Sequence, residues 1–287
     1  MKLNKKTKLV FILVAFFLIG LAVPSYSWTR KNVKEIETFY NSKLSPIIMI
    51  PGSSATENRF DGLVRKLNQD RRGTKHSLLK VKVWNNGRIT FEGKIRKNDN
   101  EPIIVIGFEN NKDGYSNIKK QSKMMNQAFE ALQNKYNFNN FKGLAHSNGG
   151  LIYTAFIENY LSDYDVKINS LMTIGTPYNF TETNIKNKSV MLADFIAAKE
   201  NIPATLHVYS VAGTITYDSD ELVPDASVSA GKYIYQNQAK SYTEITVTGE
   251  DAQHSDLPTN DEVVELIKQH IEGQGVRKKQ KTNLEPQ

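Results

Sequence analysis

A serine set among small residues is the clearest sign of chemistry in this chain. Gly143-Leu144-Ala145-His146-Ser147-Asn148-Gly149-Gly150 stands where an apolar run gives way to an amphipathic one. A strand-to-helix junction of that kind turns so sharply that the residues two before and two after the serine must be small. Ala145 and Gly149 are small, with Ala145 standing where glycine is more usual. Such a turn would present the Ser147 hydroxyl as a nucleophile. A hydroxyl reacts poorly at neutral pH, so Ser147 then requires a histidine to take its proton and a carboxylate to hold that imidazole.

The chain has five histidines, which separate by context. His146 neighbours the serine on the turn and is expected to point away from the line of attack. His76 precedes a polar hairpin, His207 falls within a strand pattern, and His270 lies in the last helix pattern. His254 sits in Gly249-Glu250-Asp251-Ala252-Gln253-His254-Ser255-Asp256-Leu257-Pro258, a loop between the last strand and the last helix, and is the expected base. The order serine, acid, histidine then places the acid in Tyr217-Asp218-Ser219-Asp220-Glu221-Leu222-Val223-Pro224. Asp220 is the expected residue, with Asp218 as the alternative and Asp225 past the proline. A solvated acidic loop, or one that ligates calcium through oxygen, is the competing account of this segment. Charge developing on a carbonyl oxygen calls for two backbone N–H donors. Asn148, just after the serine, and Ser53, in Pro51-Gly52-Ser53-Ser54-Ala55, are the expected pair; a plain glycine-serine turn is the alternative for Ser53. No spacing matches an EF-hand or a zinc site.

These residues need a frame. Ile47-Ile48-Met49-Ile50, closed by Pro51-Gly52, reads as a buried strand, and Pro102 to Phe108 supplies a second. Val81 and Val83, then Ile89 and Phe91, flank Asn85-Asn86-Gly87 as a hairpin. Met125, Phe129, Leu132 and Tyr136 recur at helical spacing between Ile118 and Tyr136. Phe141 to Ala145 leads as a strand into Ser147, and Leu151, Ile152, Ala155, Phe156 and Leu161 form the inner face of the helix that follows. Further strands are expected at Ser170 to Gly175, Leu206 to Ala212 and Ile245 to Val247, with a last helix from Glu262 to Ile271. A polar, helix-prone insertion from Tyr178 to Asn201 lies where lids and caps sit. Strands alternating with helices imply right-handed crossovers and a mostly parallel, doubly wound α/β sheet.

At 287 residues, without repeats or long linkers, residues 28–273 read as a single domain. Ahead of it, Lys2, Lys5, Lys6 and Lys8 precede an apolar run from Leu9 to Val23. Residues 1–27 are thus either an export signal, with Ser25 and Ser27 placed for cleavage before Trp28, or an uncleaved membrane anchor. The segment from Thr29 to Leu44 is mixed, and residues 274–287 form a polar basic tail. The absence of cysteine excludes disulfides, a thiolate nucleophile and a cysteine-ligated metal. The net charge of +7 owes four units to the leader lysines and more to Arg277, Lys278, Lys279 and Lys281 in the tail, so nucleic acid is not expected as a partner. A solvated tail is the expected account of this charge, with modest adhesion to an anionic membrane or wall surface as the alternative. The expected location is secreted or at the cell surface.

The turn around Ser147, the Gly175-Thr176-Pro177 strand end, the Asp220-Glu221-Leu222-Val223-Pro224 loop and the His254-Ser255-Asp256-Leu257-Pro258 loop together resemble the α/β-hydrolase superfamily. More narrowly, residues 46–271 are similar to a family of inferred bacterial cell-surface hydrolases of unknown substrate. This sequence departs from the common pattern at Ala145 and Glu221, each in place of glycine, and at Pro51 in place of histidine. The resemblance implies an α/β-hydrolase fold with a hairpin and a small lid-like insertion. It fits a Ser147-His254-Asp220 triad and implies no cofactor; the expected substrate is a small-molecule or lipid ester, the lipid suggested by a location near a membrane. The Gly-Thr-Pro turn is expected to line the acyl side of the pocket. Two other functions use the same residues or the same fold: acyl transfer to a surface polymer, and non-catalytic binding at the cell surface.

Overall fold

The structure, a computed structural model, describes residues 4–69, 71, 74–215 and 218–272, and the basic tail lies outside the described residues. These residues fall into two units, divided between Ser42 and Lys43. The first is one helix, α1, Lys5–Tyr40. It runs without a break through Pro24, Ser27 and Trp28, so the mixed segment after Thr29 is helical as far as Tyr40. Exposed Leu9, Phe11, Phe16, Phe17 and Ile19 give its first half the length and composition to cross a membrane, a test that a signal sequence also passes.

The second unit is a three-layer α/β structure. Its eight strands are β1 Ile47–Ile50, β2 Leu78–Val83, β3 Ile89–Gly93, β4 Ile103–Phe108, β5 Asn140–His146, β6 Lys167–Ile174, β7 His207–Thr214 and β8 Ser241–Thr248. They form one sheet in the order β3-β2-β4-β1-β5-β6-β7-β8. Only the hairpin strand β3 runs antiparallel to its neighbour. The hairpin turns at Asn85-Asn86-Gly87, where Gly87 takes φ +81°.

Alternation along β1 shows why the sheet is covered on both sides. Ile48 and Ile50 join a core with Phe129, Leu132, Leu151 and Phe156, while Ile47 and Met49 join another with Leu63, Leu67, Val263 and Ile267. The first set comes from α3 (Tyr115–Tyr136) and α4 (Asn148–Asn159), and the second from α2 (Asp61–Gln69) and α8 (Asp261–His270). All four β1 side chains are fully buried, so both faces draw on the hydrophobic effect, at about 1.5–3 kcal/mol per large apolar side chain. On the α3 and α4 face, the Phe129 ring meets Phe141 of β5 at 5.0 Å and Phe156 of α4 at 5.1 Å between centroids. Both elements that flank Ser147 are therefore fastened to the same buried ring.

The insertion folds as α5 (Val190–Ala198) with a short 3₁₀ turn after it. Two small helices that the sequence pattern does not reveal, α6 (Asp225–Ser229) and α7 (Lys232–Tyr235), follow the acidic loop. The last expected strand is longer than its apolar triplet suggests, because Ser241–Thr248 pairs along the whole of β7.

Candidate active site

Because seven strands are parallel, their carboxyl ends gather on one edge, which is where open α/β sheets bind ligands. Ser147 follows β5, Ser53 lies beyond β1, Asp220 beyond β7 and His254 beyond β8. Sequence positions 53 to 254 thus converge through topology.

Ser147 has φ +56° and ψ −133°, a conformation that a side chain seldom adopts, and it opens α4 directly after β5. The turn is held by Ser147 N–H donating to the Ile174 carbonyl at 2.8 Å and by the Thr176 hydroxyl donating to the Ser147 carbonyl at 3.0 Å. Gly149 is required, since a Cβ there would stand 2.2 Å from the Ile50 carbonyl oxygen. Ala145 is accommodated: its methyl is wholly buried in the core on the α3 and α4 face. The expected smallness two residues to either side is thus absolute on one side and relaxed on the other.

His254 Nε2 lies 2.9 Å from Ser147 Oγ, and His254 Nδ1 lies 2.6 Å from Asp220 Oδ2. A carboxylate can only accept, so the imidazole proton sits on Nδ1 and the Nε2 lone pair faces the serine hydroxyl. Asp220 is 1% exposed, and its Oδ1 accepts from Val223 N–H at 2.7 Å and Leu222 N–H at 3.1 Å. Backbone contact reinforces the pair: His254 N–H donates to the Asp220 carbonyl at 3.0 Å. Asp218 offers its backbone carbonyl to Asp225 N–H at 2.8 Å, and it is Asp220 that the fold brings to His254.

Glu221 has φ +74°, which explains why glycine is commoner at this point of such a loop. Its side chain accepts from Gln253 Nε2 at 2.7 Å, tying the acid loop to the histidine loop. Gly175 also has positive φ, +57°, and a Cβ there would lie 3.1 Å from His254 Nδ1 and 3.2 Å from Asp220 Oδ2. The Gly-Thr-Pro turn therefore clears room for the His–Asp pair and braces the serine turn through Thr176.

Ser53 and Asn148 both lie at this edge. Among the described residues no acceptor meets the backbone N–H of either. Two residues at the site escape sequence reasoning. His146, 5% exposed, donates from Nε2 to the His254 carbonyl at 2.9 Å, and the two rings lie 4.8 Å apart. Burial, followed by repulsion from His254 and Arg59, holds the His146 imidazole well below the usual histidine range, so it is neutral. Asp113, from the loop after β4, accepts from the Asn148 side chain at 2.6 Å. Adjacency to Ser147 is a weak signal for His146; nothing in the pattern marks Asp113. Among the described residues no cluster of side chains is suited to a metal ion.

A family of alpha/beta hydrolases of unknown function (DUF915) matches residues 34–274. The chain belongs to this family. A crystal structure from Lactobacillus plantarum WCFS1, of a protein inferred to be a cell surface hydrolase, shares 50% identity with a TM-score of 0.73, over 79% of this chain and 91% of that one. The product of gene lin2722 from Listeria innocua shares 30% identity with a TM-score of 0.72, over 78% of this chain and 92% of that one. None of the curated proteins compared with the chain matches it. The fold and family expected from the sequence are those found.

Proposed function

We propose that this member of the family is an exported serine hydrolase that cleaves carboxylic esters, lipid esters included, through an acyl-enzyme. One observation carries the reading: Ser147 Oγ, His254 and Asp220 form an unbroken hydrogen-bonded chain of 2.9 Å and 2.6 Å. Ser147 Oγ attacks the ester carbonyl while its proton passes to His254 Nε2, and Asp220 stabilises the imidazolium that results. The oxyanion is received by the N–H groups of Ser53 and Asn148. His254 then protonates the leaving alcohol as the tetrahedral intermediate collapses. Water, deprotonated by His254, attacks the acyl-enzyme, and the acid is released as Ser147 recovers its proton. Export, with retention at a membrane or wall surface, is supported by the apolar helix α1 and by the surface assignment of the L. plantarum relative.

Hydrolysis of p-nitrophenyl esters from acetate to palmitate by the full-length protein, beside Ser147→Ala, tests the reading. Turnover that vanishes in the variant is expected, and the chain-length profile places the activity between esterase and lipase. Equal rates for variant and wild type would refute it, and product analysis with an added alcohol acceptor would detect acyl transfer.

A further inference from the structure

The side chain of Asn148 links three loops at the site. Asn148 is 5% exposed, and its Nδ2 donates to Ser53 Oγ at 2.6 Å and to Asp113 Oδ1 at 2.6 Å. Since a carboxylate can only accept, Asp113 determines which end of the amide carries nitrogen, and both amide protons are committed. Ser53 Oγ is then an acceptor toward Asn148. Its own proton meets no acceptor among the described residues.

The loops concerned are well anchored. Asp113 Oδ1 also accepts from Gly114 N–H at 2.6 Å, and its carbonyl accepts from Asn117 Nδ2 at 2.7 Å. Buried Gln121 of α3 donates to the carbonyls of Asn110 at 2.7 Å and Lys112 at 3.0 Å. The Ser53 loop is stitched to the same segment by Ser54 N–H donating to the Asn111 carbonyl at 2.8 Å and by Asn111 Nδ2 donating to the Ala55 carbonyl at 3.1 Å. Asp113 therefore has a fixed address from which to orient Asn148.

Resting on the serine-hydrolase reading above, we propose that the Ser53 hydroxyl is a third donor to the oxyanion, aimed by Asn148 under the control of Asp113. Ser53 then contributes twice from one residue, through N–H and through O–H. Accepting a hydrogen bond makes a hydroxyl a better donor, so the Asn148 contact both aims the group and strengthens it. No proton is transferred: Ser53 donates a hydrogen bond to the negative oxygen and keeps its hydrogen. Asp113 is a positioning residue, acting through Asn148.

A fluorophosphonate provides a test that needs no knowledge of the natural substrate. Ser147 Oγ bonds to phosphorus, fluoride leaves, the serine proton passes to His254, and charge builds on the phosphoryl oxygen in the oxyanion pocket. The second-order labelling rate is measured on full-length wild type and on Ser53→Ala, Ser53→Thr, Asp113→Ala, Asp113→Asn and the Ser53→Ala/Asp113→Ala double variant. Thermal unfolding of each confirms that it is folded. Ser53→Ala is expected to slow labelling about 10- to 100-fold, with Ser53→Thr recovering most of the rate. Asp113→Ala should slow it less, Asp113→Asn less still, and the double variant should match Ser53→Ala, because the carboxylate acts only through that hydroxyl. Labelling of folded Ser53→Ala within about twofold of wild type, or effects that multiply in the double variant, would overturn this inference and leave the serine nucleophile standing. Failure of wild type to label at Ser147 would overturn both.

Discussion

His146 donates its Nε2–H to the backbone carbonyl of His254, 2.9 Å away, so the residue before Ser147 holds the loop that carries His254. Because burial keeps His146 neutral, its protonation is linked to stability. Its folded pKa lies below the unfolded value of 6.5, so the unfolded chain binds the extra proton first. The stability it contributes is complete above pH 6.5 and is lost as pH falls below that value toward the folded pKa. His146→Gln retains a donor and cannot titrate. Relative to wild type, this variant should gain stability as pH drops from 7 to 5, by at most about 1.4 kcal/mol per pH unit. Urea unfolding at three pH values measures it, and parallel profiles would contradict the linkage.

Asp220 and Asp218 are two positions apart, yet only one of them faces His254 Nδ1. Asp220→Asn replaces the acceptor that selects the imidazole tautomer, and should lower kcat by about 10⁴-fold with a modest effect on KM. Asp218→Asn should stay within about twofold of wild type. Steady-state kinetics on whichever ester is turned over compares them directly, and a reversed ranking would move the acid.

Glu221 occupies left-handed backbone at φ +74°. There the usual ranking of alanine over glycine should invert. Glu221→Ala loses the Gln253 contact and keeps the strain, whereas Glu221→Gly loses the contact and relieves it. The glycine variant should be more stable than the alanine variant by about 0.5–1 kcal/mol, net of glycine's entropy in the unfolded chain. Thermal melts of the two, run side by side, read the sign.

Glu158, on α4, is 4% exposed, and its Oε1 has no hydrogen-bond partner among the described residues. Burial pushes its carboxyl up to about 9, so at neutral pH it is protonated. With the folded pKa above the unfolded 4.5, its contribution is full below that pH and drains away as pH climbs toward 9. Glu158→Gln keeps the shape of the neutral acid and escapes the linkage. Its advantage over wild type should grow with pH, reaching the order of 3 kcal/mol at pH 7. An advantage equal at pH 5 and pH 8 would mean that Glu158 is ionised in the fold.

Parts of this protein are written in local pattern. The run Ile47–Ile50 is buried on both faces of the sheet, and Asn85-Asn86-Gly87 closes a hairpin as its chemistry demands. The meeting of Ser147, Asp220 and His254 is legible because each lies where a regular element ends, at the one edge of the sheet where those ends gather. Other features depend on distant partners. α2 is short and polar, with only Leu63, Val64 and Leu67 buried, and its inner face has meaning only beside α8. α6 and α7, of five and four residues, are too short to develop a period. Asp113 is one carboxylate in a polar stretch, and what distinguishes it is Asn148, 35 residues further on.

The order of the strands also sets a schedule. Ser147 stands near the middle of the sheet, whereas His254 arrives from beyond β8, an edge strand and the last strand in chain order. Until His207–Thr214 has received Ser241–Thr248 alongside it, Ser147 Oγ lacks its hydrogen-bond partner, His254 Nε2. On the serine-hydrolase reading proposed above, a chain still being synthesised therefore carries a silent nucleophile, and reactivity switches on only once the C-terminal strand has docked.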